Sequence, residues 1–187
     1  MCSPTPLTLQ SVLHLHVDTL DFFSRPENYH LGQQIQRLIQ LAFPKSGSST
    51  TSYQPCMTPA QAWIGLAADT GQPAIFAMTI DLALVKEKDA SEDMRWIMST
   101  LLPKEVSDGP SWYLWDVAGN PAYTRKTDEF LPYLQEQARD QGIGCLVILV
   151  KRQARRLQSM YEKYGFQWVD RVLPGKFHNQ QLGFVRL

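Results

Sequence analysis

Residues 12–17 read Val-Leu-His-Leu-His-Val, an alternation suited to a half-buried strand. Helical spacing follows over 29–43, with Leu31, Ile35, Leu38, Ile39 and Phe43 on one face and Pro44 as a stop. The stretch 45–59 is rich in Ser, Thr and Pro and reads as a loop. Two apolar runs, Trp63–Ala68 and Ala74–Leu84, flank the turn residues Asp69-Thr70-Gly71-Gln72 and predict a hairpin. A short helix is expected over 91–102, where Met94, Ile97, Met98 and Leu101 share a side and Pro103 ends the pattern. In the second half, Trp112–Val117 reads as a strand and 122–129 as polar connection. Phe130, Leu131, Leu134 and Ala138 mark one helical face over 130–141, closed by Gly142. The unbroken apolar run Cys145–Val150 is the pattern of a strand buried on both faces. A helix over about 153–164 ends at Gly165, and 166–173 and 180–187 read as two closing strands around Pro174-Gly175. Strand, helix, buried strand, helix, strand, strand is the order of a mixed sheet with helices packed on it, an α/β or α+β domain.

Composition narrows the classes. At 187 residues, 44% of them apolar, the chain is expected to form a single domain over 1–187. Its formal net charge is zero, so no overall field holds it to nucleic acid or to an anionic membrane. No apolar run reaches the length of a membrane span. The start, Met-Cys-Ser-Pro-Thr-Pro, lacks the basic and apolar segments of a secretory signal. Cys2, Cys56 and Cys145 are widely spaced with no CxxC pair, which argues against a disulfide framework or a zinc site and suits a cytoplasmic setting. No internal repeat is visible.

One ordered set of residues is more specific. Ala138-Arg139-Asp140-Gln141-Gly142-Ile143 leads through the run ending at Val150 to Met160-Tyr161-Glu162-Lys163-Tyr164-Gly165-Phe166. This resembles the GNAT N-acyltransferase superfamily, which commonly has a helix ending in A-x-x-x-G-I, a strand, a short connection and a helix ending in L-Y-E-K-x-G-F, a pattern this sequence matches without a gap. The first half agrees with that family in element order, and the stretch 86–110 is longer than a minimal member needs.

The resemblance implies a mostly antiparallel, twisted sheet with a V-shaped splay between the strands at 112–117 and 145–150, flanked by helices. It implies an acyl thioester donor, acetyl-CoA by default, whose pantetheine arm pairs with strand backbone around Val117 and Ala118. An amine then attacks the thioester carbon directly, with no metal and no covalent enzyme intermediate. Tyr161 occupies the position of a proton donor to the departing thiolate, which needs one in a partly dry site. The same residue could simply pack its ring in the core.

The donor loop departs from the family. Its usual form is Q/R-x-x-G-x-G/A, whose glycines let backbone amides close on a diphosphate. Here the stretch Pro121–Glu129 holds no glycine, and Arg125 and Thr127 stand where glycines are expected. Arg125 and Lys126 offer cations that could hold phosphate by side chain. Asp128 and Glu129 complement the helix dipole and repel phosphate, as plain helix capping would have it. Pro132 places the helix start at or after 128. Lys151-Arg152-Gln153-Ala154-Arg155-Arg156 opens the next helix with cations, each opposing the macrodipole by roughly 0.3–1 kcal/mol when exposed. Arg155 could therefore meet a CoA phosphate or the phosphopantetheine and acidic surface of an acyl carrier protein; a solvated basic turn is the alternative.

Asp116, at the end of the strand lining the expected splay, is the candidate base for the incoming ammonium, or a backbone cap. His178 is a weaker base candidate. His14 and His16 share a strand face, but no third metal ligand is evident. Cys145 reads as a core residue. Three function classes follow: an acyltransferase acting on an amine acceptor, a catalytically degenerate GNAT-fold module that binds a ligand or protein, and a purely structural domain. The glycine-free loop favours the second and Tyr161 the first. Donor chain length, carrier-protein use, acceptor and oligomeric state stay open.

Overall fold

The computed structural model describes residues 5–44, 53–55, 57, 59–85, 97, 109–171 and 178–187. The chain forms two compact units, Met1–Thr79 with Asp116–Leu131, and Ile80–Trp115 with Pro132–Leu187.

The first unit begins with the two-residue strand β1 (Thr5–Pro6) and with β2 (Leu9–Val17). β2 pairs antiparallel with β3 (Ala60–Ala67), from Leu9↔Ala67 to Val17↔Ala60, and β3 pairs antiparallel with β4 (Pro73–Asp81). β2 starts three residues before its alternating pattern, because backbone pairing to β3 holds Leu9 and Ser11 where side chains give no period. Helix α1 (Tyr29–Ala42) buries Ile35 and Leu38, as its spacing predicts, and stops before Pro44. The expected hairpin is β3–β4, turned at Gly71, whose φ of 65° suits a residue without a Cβ. The predicted loop at 45–59 falls partly outside the described residues; 53–55 are irregular.

Strand β5 (Ser111–Gly119) contributes its first half to the second unit and its second half to the first. The two-residue strand β6 (Tyr123–Thr124) follows in the first unit and runs parallel to β1. In the second unit, β7 (Cys145–Lys151) lies between β5, in parallel, and β9 (Gln180–Arg186), antiparallel. Consecutive residues of β7 point to opposite faces, and Cys145, Leu146, Val147, Ile148 and Val150 are all buried, so both faces are covered and the strand reads as an unbroken apolar run. Helix α2 (Thr127–Asp140) begins one residue earlier than Pro132 suggests, so the proline is the sixth helical residue and removes one hydrogen bond close to the end. α2 closes with Gly142 at φ 71°, Gly142 N donating to Arg139 O (2.9 Å) and Ile143 N to Ala138 O (2.9 Å), the paired bonds of a Schellman cap. Helix α3 (Arg155–Glu162) is shorter than its pattern; Gly165, at φ 85°, follows. The expected strand at 166–173 shrinks to β8 (Gln167–Trp168), antiparallel to β9. Pro174-Gly175 lies outside the described residues, as does the predicted helix at 91–102 apart from Ile97, which is helical and buried. The strands thus run in the order β2-β3-β4-β5-β7-β9-β8 of a mixed, mostly antiparallel seven-stranded sheet, with three α-helices among the described residues.

β8 is held by one large contact. A Cβ at Gly183 would sit 2.6 Å from Trp168 Cζ3 and 2.9 Å from Cε3, so the indole lies flat on a glycine backbone. The same ring donates from Nε1 to Glu162 Oε1 (2.9 Å), which keeps it from moving aside freely. Gly183→Ala is expected to destabilise the protein by about 1–3 kcal/mol through overpacking. Thermal denaturation checks this; an unchanged midpoint would show that the indole yields without cost.

No helix among the described residues is long and apolar enough to cross a membrane.

Candidate active site

In the first unit, β5 carries Asp116, Val117 and Ala118 in succession. Ala118 is buried, while Asp116 and Val117 are partly so. Asp116 Oδ2 accepts a hydrogen bond from the Tyr53 hydroxyl. Burial pushes the Asp116 carboxyl above its ordinary value, and the Tyr53 bond opposes that in part. A carboxylate with raised basicity takes a proton more readily than an exposed one, so the environment suits a base. Sequence patterning does not single out Tyr53, which sits in the Ser/Thr/Pro-rich stretch, 63 residues away along the chain.

After β5 the chain turns at Asn120, whose Oδ1 accepts from Ala122 N (2.9 Å). Asn120 N donates to Ala74 O (2.8 Å), tying the end of β5 to β4 within this unit. Arg125 follows with φ 51°, the one non-glycine residue with positive φ among those described. The arginine thus occupies the backbone conformation a glycine would supply. Its side chain is exposed. Lys126 folds back: its aliphatic chain lies against Gly119, where a Cβ would meet Lys126 Cδ and Cε at 2.7 Å, and Nζ donates to Tyr123 O (2.9 Å). Partial burial lowers the pKa of that ammonium. Thr127 is buried as the first residue of α2. Glu129 is engaged as an acceptor for Leu9 N (2.9 Å), which accounts for one of the two acids at this helix start by a structural bond.

A left-handed φ costs an L-residue about 1–2 kcal/mol. A glycine there relieves this but loses roughly 0.4–1 kcal/mol through a freer unfolded chain. Arg125→Gly is therefore expected to leave the midpoint of thermal unfolding equal or a few degrees higher. A clear fall in the midpoint would mean that the arginine side chain, rather than the backbone, maintains this loop.

Elsewhere in this unit a polar concavity of about 340 Å³ opens beside α1, lined by His30, Gln34 and Arg37 together with Gln72 and Asn120. None of the sequence-predicted site residues lines it. His14 and His16 do share a face, with ring centroids 4.9 Å apart, but His14 stacks on Trp63 (3.9 Å, 3°) and shares a 2.8 Å hydrogen bond with Gln61 Oε1. No cluster of three or more His, Cys, Asp or Glu among the described residues is placed to hold a metal ion.

In the second unit, the parallel ladder of β5 with β7 runs from Ser111↔Cys145 to Leu114↔Ile148 and ends there. β7 continues to Lys151, paired with β9 alone over Leu149–Lys151. From Leu149 onward, the edge of β7 that faced β5 has no ladder partner among the described residues. Tyr161 stands on α3 and is 2% exposed, with its ring edge-on to Phe166 at 5.1 Å. Its carbonyl accepts from Tyr164 N (2.9 Å) and Phe166 N (3.3 Å), so the turn at the end of α3 closes around it. Burial drives its phenol pKa up, and the hydroxyl stays protonated through the neutral range. Three residues earlier Gln158 is buried and binds the end of β7 through Lys151 O and Arg152 O, both at 3.4 Å, which fixes the helix on the sheet.

Arg155 is the exposed first residue of α3, and the N-cap Ala154 makes no side-chain cap bond. No acid stands in that first turn. Arg152 is bound differently from Arg155: its Nη2 donates to Arg171 O, and its Nε is buried with no hydrogen-bond partner among the described residues. Cys145 is buried and its thiol pKa is pushed up to about 11, so no thiolate is on hand for a nucleophile. His178 is exposed.

Several solved structures resemble this chain in architecture. The ribosomal-protein-S18-alanine N-acetyltransferase of Escherichia coli superposes over 94% of each chain with a TM-score of 0.57. The fold is that of the GNAT acetyltransferases. A GNAT-family acetyltransferase from Listeria monocytogenes 4b F2365 matches over 97% of this chain and 99% of its own, with a TM-score of 0.56. A NatC complex bound to Gag peptide and CoA matches over 95% and 99%, with a TM-score of 0.53. Identities are 14%, 12% and 8%, so the likeness to these structures is one of fold. No protein-family model matches the sequence, and no curated protein matches it.

Proposed function

We propose that the protein is an N-acyltransferase that moves an acyl group from a thioester donor to an amine by direct attack. The observation that carries this reading is the early end of the β5–β7 ladder. Past Ile148, β7 keeps an edge of amide groups with no strand on it among the described residues. An extended ligand bearing its own amides, such as the pantetheine arm of CoA, is the kind of group that adds to such an edge. The GNAT fold, and a neighbour of that fold whose structure holds CoA, support the same donor class.

In this reading Asp116 takes a proton from the acceptor ammonium, and Tyr161 gives one to the thiolate that leaves. Burial suits the tyrosine to this role, since it keeps the phenol protonated, and a thiolate formed in equally dry surroundings is made more basic as well. Val117 and Ala118 supply backbone to the pantetheine arm. Arg125 and Arg155, both exposed, are offered to the donor's phosphates; Lys126 and Thr127 shape the loop that carries Arg125. Acetyl-CoA is the default donor, with longer acyl-CoA or an acyl carrier protein as the other donors of the same chemistry.

Calorimetric titration with acetyl-CoA, a long-chain acyl-CoA and free CoA tests the donor. Binding of at least one is expected, weakened when Arg125 and Arg155 are both replaced by alanine. Failure of all three, followed by failure of acyl carrier protein to bind, would remove the acyltransferase reading and leave the GNAT fold as a binding module.

A further inference from the structure

Tyr53 is held from several directions in the first unit. Its ring is 8% exposed and lies edge-on to Phe23 (5.7 Å) and to Phe76 (5.4 Å). Its N–H donates to Gly32 O of α1 (3.3 Å), and its hydroxyl lies 3.8 Å from Met78 Sδ as well as on Asp116 Oδ2. A ring packed this way cannot leave the carboxylate without opening the core around it. Asp116 Oδ1, by contrast, makes no hydrogen bond among the described residues. One carboxylate oxygen is therefore tied down and the other is left with its lone pairs unengaged. Burial and the Tyr53 hydroxyl are the two influences on this carboxyl; no charged side chain among the described residues acts on it.

We propose that Tyr53 is a positioning residue that holds Asp116 by Oδ2 and so presents Oδ1 to the proton of the attacking amine. The inference rests on the acyltransferase reading and gives the stretch around 53–55 a defined part in it. In the step, the acceptor N–H bond breaks and its proton passes to Asp116 Oδ1. The freed nitrogen pair forms the bond to the thioester carbon. The C–S bond breaks, and sulfur leaves with its electron pair and takes the Tyr161 phenol proton. As the C–S bond breaks, the new amide nitrogen releases its second proton to water; water then returns a proton to Tyr161 and receives the one held by Asp116.

The Tyr53 hydroxyl favours the charged form of Asp116, so removing it leaves burial unopposed. Tyr53→Phe is expected to move the acid limb of the pH profile of kcat/KM to higher pH, with a smaller loss on the plateau above it. A purely structural role would lower kcat/KM by the same factor at every pH. Carbon-13 NMR of Asp-labelled free protein reads the same change without turnover: the Asp116 carboxyl midpoint should move to higher pH in Tyr53→Phe. Replacing Tyr53 with 3-fluorotyrosine, a stronger donor of the same shape, should move it to lower pH and covers the case in which Tyr53→Phe folds poorly. If turnover is present but neither midpoint nor limb moves in either variant, Tyr53 does not position Asp116, and the acyltransferase reading stands. If the midpoint moves but no acyl thioester turns over, the pairing is real and the catalytic role is lost with the acyltransferase reading.

Discussion

Tyr161→Phe is expected to lower turnover by about 10²- to 10⁴-fold at neutral pH, the contribution of one well-placed proton donor. The change removes one oxygen from a ring that is 2% exposed and edge-on to Phe166, so packing is preserved. Donor affinity should be unchanged, because the lost interaction belongs to the departing thiolate and not to the bound thioester. The deficit should shrink for an aryl thioester, whose thiolate leaves without needing a proton. Initial-rate kinetics on the two donor types, with calorimetry for affinity, measures all three effects. Equal turnover of variant and parent on an alkyl thioester would mean that Tyr161 is a core residue only.

Asp116→Asn should separate activity from stability. Loss of the base is expected to lower kcat by about 10²- to 10⁴-fold. Stability should move the other way. Burial raises the folded-state pKa of Asp116 above its ordinary value of 3.8. Between those two values the folded protein binds a proton more readily than the unfolded chain, so stability falls as pH rises through the folded pKa. At neutral pH the protein carries that full penalty, and asparagine, which never ionises, does not. The variant should unfold at a higher temperature than the parent at pH 7, and the gap should close below about pH 4. Thermal denaturation at the two pH values decides it. A variant less stable at pH 7 would mean that the Tyr53–Asp116 hydrogen bond outweighs burial.

The parts of the molecule legible in its sequence are those where one local cause suffices. β7 announces itself by an apolar run because both its faces are buried, and Gly142 and Gly165 mark helix ends because their φ values of 71° and 85° suit residues without a Cβ. Where pairing or packing from afar decides, the pattern misleads. β2 extends to Leu9 through its ladder to β3, and β8 shortens to two residues, one of them laid on the backbone of Gly183. Asp116 is visible in the sequence as a carboxylate at a strand end. Its partner is not, since Tyr53 lies among residues with no period and meets Asp116 only once α1, β4 and β5 are in place. The glycine-free loop is visible as letters, but its backbone is not, because an arginine at 125 does not by itself announce a φ of 51°.

That backbone bears on how such a loop changes over time. Arg125 already occupies the left-handed conformation, and Lys126 already packs against Gly119. A single substitution at 125 would add or remove a cation without rebuilding the chain path. Residues that tolerate φ above zero, glycine and asparagine foremost, are open to it at little cost, whereas β-branched ones are closed. Charge at this turn is thus mutationally cheap to vary while its geometry is expensive.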